Sequence, residues 1–355
     1  MTDNIYFGKV YGGLIGAAIG DAMGGPVEMW APADIVRAYG WISDMLPYTM
    51  EPNPTYVWQE RAPPGTYTDD TRLKLLVAEL TAEKGSFLTA RDLAETFIGG
   101  YDAAETGSLE KEWYTEWAAV GKAYLSDLAD TRSVGLHSFY GGEMVGGGLI
   151  AVLPIGFMFP DDAEQAYHAA YDLSFFDLGY ARDATALATA FVSRAMAQQA
   201  AVESILDAAG FDPHGLGKRH IFGRVCGRYV EEALKTARNA KSRENLVEAL
   251  HQSVLRATPC DPVEMLAFIV AILKWTRGDP AEAIPLAVNA GRDNDSVAGV
   301  VGMIAGTLHG IDAFPDRWVQ TVEEVNPTPD LRELAGNLCD AIPARSSTTP
   351  ASGRH

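Results

Sequence analysis

The chain has little cysteine, a deficit of basic residues and no long apolar run. Three Cys stand in 355 residues, at 226, 260 and 339. Their spacing matches neither a zinc-binding pattern nor a disulfide framework, so a reducing, cytoplasmic setting is expected. Lys plus Arg number 28 against 47 Asp plus Glu, a formal charge of −19. So acidic a surface is unsuited to nucleic acid or anionic membrane as a partner. It does suit a site that concentrates metal cations. No apolar stretch reaches the roughly 18–20 residues of a membrane span. The opening MTDNIYFGKV lacks the basic and apolar regions of a signal peptide.

What is present is mostly helical patterning. Residues 9–20, KVYGGLIGAAIG, carry Gly12, Gly16 and Gly20 at four-residue spacing. Glycine weakens a helix, so three on one face point to close backbone packing. Leu73, Leu76, Val77 and Leu80 form a helical stripe in 70–83, and 182–200 is Ala-rich and helical throughout. PVEMLAFIVAILKWTR (262–277) is apolar on nearly all sides and reads as a central buried helix. In 296–309, Val297, Val300, Ile304 and Leu308 face inward, and Gly299, Gly302 and Gly306 keep the helix narrow. Strand signals are thin: VLPIGFMF (152–159) is interrupted by Pro154 and Gly156. The expectation is a single all-α domain over 1–342, a long Pro- and Gly-rich surface loop at 47–67, and a disordered polar tail at 343–355.

Three acidic clusters stand out: Asp21 and Glu28 in GDAMGGPVE, Thr68 to Thr71 in TYTDDTRL, and Asp293, Asp295 and Ser296 in GRDNDSVAG. The last two each precede an apolar helical stripe, and the ordinary explanation is helix capping. One cap suffices, however, and an adjacent second carboxylate repels the first. Helix dipoles offset part of that repulsion; a bound cation offsets far more. Asp69, Asp70, Asp293 and Asp295 supply four negative charges, which two divalent cations would balance, and Thr68 and Ser296 add neutral oxygens. These are hard donors, with no His or Cys nearby in sequence, and they select magnesium or calcium, with manganese possible, over zinc or copper. The ordinary explanation holds for other polar residues. His137, His168, His214, His220, His251 and His309 show no paired spacing, Trp113, Tyr114 and Trp117 read as packing aromatics, and Asp21 reads as a capping or orienting acid. Tyr101 and Asp102 are candidates to line a cleft.

These motifs resemble the ADP-ribosylglycohydrolase family, which includes dinitrogenase reductase-activating glycohydrolase and the ADP-ribosylarginine hydrolases. GGLIGAAIGDAMGGPVE matches the family's apolar Gly-rich helix ending in Gly-Asp, with a Glu seven residues later. Thr68 to Thr71 match its Thr-Asp-Asp-Thr. GRDNDSVAGVVGMIAGTLHG answers its Gly-Gly-Asp-Thr-Asp-Thr and small-residue helix, and FPDRW (314–318) its Ile-Pro-x-x-Trp. The resemblance implies an all-helical, orthogonal bundle with two Mg2+ (or Mn2+) in a dinuclear cleft. It assigns Thr68, Asp69 and Asp70 as ligands from one side and Asp293, Asp295 and Ser296 from the other. Glu28 becomes the acid/base or substrate-orienting group.

The chain departs from the pattern at Arg292, Asn294 and Ser296. Ser296 keeps the ligand hydroxyl, and Arg292 is free to pair with an acid or meet an anionic substrate. The family's Asn- and Arg-bearing mid-chain loop corresponds to VGGGLIAVLPIG (145–156), with Gly146 and Ala151 at those two positions. Gly146, Gly147 and Gly148 form either a phosphate cradle of backbone N–H groups or a tight turn. The implied activity is metal-dependent hydrolysis of the glycosidic bond at the anomeric carbon of a ribosyl or ADP-ribosyl group, on an ADP-ribosylated protein or a small ribosyl compound. The altered loop brings in a second reading, an N-ribosyl hydrolase of nucleosides or nucleotides. A third is a non-catalytic, crystallin-like binding relative. The pattern leaves the oligomeric state open.

Overall fold

The computed structural model describes residues 4–49, 61–129, 144–212 and 224–343. Within them the chain is helical, without strands. In order, the helices are α1 (Phe7–Gly24), α2 (Pro32–Tyr39), α3 (Asp69–Lys84), α4 (Ala90–Ala103), α5 (Leu109–Ala129), α6 (Gly147–Ala151), α7 (Ala163–Leu173) and α8 (Tyr180–Ala195). They continue with α9 (Val202–Asp207), α10 (Val225–Asn239), α11 (Arg243–Ser253), α12 (Pro262–Thr276), α13 (Pro280–Asn289), α14 (Asn294–His309), α15 (Asp316–Val325) and α16 (Leu331–Ala341). None of the described helices is long and apolar enough to cross a membrane. Cys226, Cys260 and Cys339 are all free thiols.

The α1–α14 pair is the axis of the fold. A Cβ placed on Gly12 would collide with the carbonyl of Gly306, one on Gly302 with that of Gly16, and one on Gly20 with that of Ala298. The four-residue glycine spacing read in both segments is thus one seam, along which two backbones touch. The ring of Phe314 closes against Gly16 and Gly306. Lys9 locks the far end: its ammonium donates to Thr307 O at 3.2 Å and Leu308 O at 3.1 Å at the end of α14, and to Ala195 O at 2.8 Å at the end of α8. A cation there meets the negative ends of two helix dipoles.

Three expectations change in detail. Helix α14 is buried on every side from Asn294 to Thr307, so α12 shares the centre with it and with α1. In α3, Leu73 and Val77 face inward, but Leu76 and Leu80 are only half-buried; Asp70, Lys74, Ala78 and Thr81 complete the inner face. A helix wedged among α6, α16 and α1 buries more than one stripe, so simple apolar periodicity misplaces its inner side. Helix α8 ends at Ala195, five residues short of the Ala-rich run.

The Pro-rich segment 47–67 is not wholly a surface loop either. Residues 50–60 lie outside the described chain, but Tyr48 and the stretch Gly65–Tyr67 are buried. Tyr48 ties the flanks together, its N–H donating to Ala62 O at 3.0 Å and its hydroxyl to Thr66 O at 3.0 Å. The interrupted run 152–159 forms a 3₁₀ helix, Leu153–Met158. The expected tail lies outside the described residues beyond Pro343.

The seam makes a direct prediction. Gly302→Val should destabilise the protein by about 1–3 kcal/mol or more, because the added atoms meet backbone that cannot yield. Gly336→Ala, at a helical glycine with open space around it, should instead stabilise by about 0.5–1 kcal/mol. Chemical denaturation of both variants checks the pair; equal effects would remove the seam from the account.

Candidate active site

The acids that stand far apart in the sequence converge at one end of the seam. Helix α1 ends in Asp21 and Gly24, and the 3₁₀ turn Gly25–Val27 carries the chain to Glu28. The first turns of α3 and α14 bring Asp69 and Asp70, and Asp293, Asp295 and Ser296. Gly24 admits this approach: a Cβ on it would strike the Asp295 backbone. The Ser296 hydroxyl donates to Asp70 Oδ2 at 2.5 Å, across 226 positions of sequence.

Asp21, the first of these acids, is fully buried and structural. Its carboxylate accepts the N–H of Thr68 at 3.0 Å and of Thr71 at 2.9 Å. The end of α1 thereby caps α3 from outside that helix, the orienting role expected of this residue. Thr68 is itself the N-cap of α3 and accepts from Asp70 N at 3.2 Å. Asp293 occupies the N-cap of α14 but makes no side-chain capping bond. Its carboxylate faces the cluster instead, and one carboxylate oxygen each from Glu28, Asp293 and Asp295 lie within 4.8 Å of one another.

The cluster carries more negative charge than its surroundings readily hold. Asp295 is 3% exposed, and its Oδ1 is buried with no hydrogen-bond partner. Burial pushes Asp295 well above the usual carboxylate range, and Glu28, Asp70 and Asp293 push it further. Asp70 is raised in the same way by burial, then by Asp69 and Asp21. Asp69, half-buried, rises to about 6 through burial and the charges of Asp21 and Asp293. Burial also raises Asp293. Buried charges demand compensation, and an orphaned oxygen in a set of hard donors suits a hard divalent cation. By that criterion the residues present fit such an ion.

Four neighbours escaped sequence reasoning. Lys74 lies one turn beyond Asp70, 1% exposed. Tyr48 is buried with its hydroxyl pushed well up by burial and by the charges of Asp21, Asp295 and Glu28. The Cys260 thiol hydrogen-bonds Asp293 and is raised by burial and that charge. Asp177 binds the glycine segment from below. Only Lys74 had a legible signal, its i+4 spacing from Asp70; the others arrive through the tertiary fold.

Arg292 resolves in favour of pairing with an acid. Its guanidinium meets Glu264, itself 1% exposed, through Nε at 2.6 Å and Nη2 at 2.9 Å, and also donates to Arg256 O at 2.8 Å. Its backbone sits at φ 67°, beside Gly291 at 68°. That is the left-handed region that favours glycine, which explains a Gly in the family pattern here; the arginine holds the same turn through its ion pair. Reciprocal backbone bonds, Met29 N to Arg292 O at 2.7 Å and Arg292 N to Trp30 O at 3.1 Å, staple the segment after Glu28 to the one before Asp293.

The glycine segment is differently employed from the phosphate cradle among the expectations. Gly146 N–H donates to Cys260 O at 3.0 Å, and Gly148 N–H to Asp177 Oδ1 at 3.1 Å. Asp177 also accepts from Thr185 Oγ1 at 2.7 Å. Two of the three amides are therefore satisfied within the protein, and Gly147–Ala151 is one short helical segment instead of a tight turn. Trp117 packs on Phe97 and Phe176 at 5.4 and 5.3 Å, and Trp113 on Tyr114 at 4.6 Å, as packing aromatics should. Tyr101 is covered by the ammonium groups of Lys111 and Lys122, and Asp102 is exposed. His168 and His309 are exposed, and His251 Nε2 meets Ala290 O at 2.8 Å. His137, His214 and His220 lie outside the described residues.

An all-helical fold whose first long helix and a late one deliver acids to a common point defines a recognisable class. The chain belongs to the ADP-ribosylglycohydrolase family, whose model matches residues 2–348. It is 27% identical over 339 residues to the uncharacterized protein YegU of Escherichia coli (strain K12), covering 90% of this chain and 92% of that one. It is 25% identical over 353 residues to the ADP-ribosylarginine hydrolase Tri1 of Pseudomonas putida (strain GB-1), covering 97% and 81%. A solved structure described as an ADP-ribosylglycohydrolase-related protein complex superposes with a TM-score of 0.65 at 21% identity, covering 95% of this chain and 98% of that one, a likeness of fold.

The electrostatics predict a pH signature. Asp69 takes up its proton more readily folded, at about 6, than unfolded, near 3.8. The folded state therefore binds more protons between these values, and this group's contribution to stability falls as pH rises through that window. In chelator, Asp69→Asn should gain on the wild type in Tm between pH 4 and 7. A difference independent of pH would contradict the placement of Asp69 among buried like charges.

Proposed function

We propose that the chain is a metal-dependent glycohydrolase that cleaves the bond at the anomeric carbon of a ribosyl or ADP-ribosyl group. The observation that carries the reading is the meeting of Glu28, Asp293 and Asp295 oxygens within 4.8 Å, with Asp295 Oδ1 buried and unbonded. Membership of the glycohydrolase family supplies the reaction class.

Asp69, Asp70, Asp293 and Asp295, with Thr68 and Ser296 oxygens beside them, are the groups that would hold two magnesium ions, or manganese in their place. The chemistry such ions supply when bound is Lewis-acid charge, which anchors vicinal hydroxyls and activates water. The protein's own contribution is positional. Asp21 holds the start of α3 in register, and the Arg292 staple holds Asp293 against Glu28. Glu28, half-buried at the edge of the cluster, is the acid/base that exchanges a proton with water or the leaving group. Glycosidic cleavage passes through an oxocarbenium-like transition state, and the surrounding carboxylates favour that developing positive charge.

A second reading, hydrolysis of a smaller nucleoside or nucleotide, is favoured by one observation: the Gly146 and Gly148 amides are already bonded inside the protein, which leaves less to hold a diphosphate. A panel of ADP-ribosyl and nucleoside substrates separates the readings; ADP-ribose released from none of the first group would favour the second. Turnover of neither, with no magnesium-induced change in Tm, would point to a non-catalytic binding protein.

Asp69→Ala and Asp295→Ala should each abolish metal-dependent turnover and reduce the magnesium-induced rise in Tm while retaining helix content. Wild-type activity in either would refute the ligand assignment. Glu28→Gln should retain the thermal response to magnesium and lower kcat by about 10²–10⁴-fold; an unchanged kcat removes Glu28 from the proton transfer.

A further inference from the structure

Among the described residues, Lys74 is a fully buried cation beside the acidic cluster that the metal reading does not require. It is 1% exposed, and its Nζ is buried with no hydrogen-bond partner. An ammonium carries three donors, and leaving all of them unbonded in the interior is costly. Nothing in the apolar stripe of α3 asks for a lysine, since a Leu or Met would pack there without that cost.

Its surroundings supply the reason. Burial pushes the Lys74 ammonium below its usual range; Asp70, one turn earlier on the same helix, and Asp21 and Asp295, from α1 and α14, pull the other way. The Nζ stands 3.6 Å from where a Cβ of Gly299 would lie, and that same point is 3.7 Å from Asp21 Cβ. Gly299 is one turn past Asp295. The ammonium is thus one helical turn beneath the first turns of both α3 and α14, under the proposed ligands instead of among them.

We infer that Lys74 is a resident counter-cation of the acidic cluster, which keeps the site assembled when divalent ions are absent. The charges divide accordingly. Two divalent ions would balance Asp69, Asp70, Asp293 and Asp295, which leaves outside that balance the half-buried Glu28 at the edge and the fully buried Asp21, committed to the amides of Thr68 and Thr71. The Lys74 ammonium supplies a charge of the opposite sign. Its attraction acts through the low-dielectric interior and does not depend on hydrogen-bond geometry, so one ammonium serves three carboxylates at once. The charge division rests on the metal-site reading; the counter-cation role in the metal-free state does not.

The test is a double-mutant cycle in chelator, read by Tm, with Lys74→Met and Asp295→Asn alone and together. Lys74→Met removes the charge at similar volume and should lower the metal-free Tm by roughly 5 °C. Adding Asp295→Asn, which removes one of the repelling charges, should recover at least half of that loss. Saturating magnesium should also raise the Tm of Lys74→Met more than that of the wild type. Simple additivity of the two substitutions, or a loss in Lys74→Met that neither Asp295→Asn nor magnesium reduces, would make Lys74 a packing residue and overturn the inference. If Lys74→Met yields no soluble protein, recovery of the double variant supports the role and failure of both counts against it. A wild type whose Tm ignores magnesium would remove the metal reading alone, because the cycle in chelator decides on Lys74 without it.

Discussion

Contact between two backbones governs this structure. Where α1 and α14 cross, glycine faces glycine or alanine turn after turn, and backbone meets backbone directly. A helix pair held by ordinary side chains sits 8–10 Å apart; removing the side chains on one face lets the axes come closer. That closeness places the end of α1 against the beginning of α14, with Gly24 over the Asp295 backbone. The acids at these two ends are neighbours because the seam is narrow.

From that geometry follows an electrostatic problem. Six carboxylates, Asp21, Glu28, Asp69, Asp70, Asp293 and Asp295, share a small partly dry volume. The fold meets the problem in several ways at once. The positive ends of α3 and α14 point at the cluster, backbone amides satisfy Asp21, a hydroxyl bridges to Asp70, and an ammonium lies underneath. These leave Asp295 Oδ1 unbonded, and that residue of unsatisfied charge is what suits the site to cations. The Arg292–Glu264 pair, outside the cluster, keeps a left-handed turn in place without adding to its charge.

Much of this was legible in the residues. The glycine spacing announced a backbone seam, and the paired acids before helical stripes announced more than capping. Asp293 stands at the N-cap of α14 without a side-chain capping bond. Other features were hidden for identifiable reasons. Lys74 was passed over because periodicity assigns one inner face to a helix that in fact has neighbours on several sides. Tyr48 and Gly65–Tyr67 looked like loop because proline and glycine mark irregular backbone, and irregular backbone can be buried when its polar groups bond to one another. The glycine triplet at 146–148 allowed a cradle or a turn, and only the positions of Cys260 and Asp177 settled where two of its amides point.

The amino-acid sequence alone determined the helical class, the seam-forming faces and the acidic segments, because each is encoded by residues within a few turns of one another. It could not determine which acid caps, which stays unbonded, or that a lysine completes the group. Those outcomes depend on distances between segments more than two hundred positions apart. Such distances are set by packing, and burial converts them into charge effects far larger than the same groups would feel along an open chain.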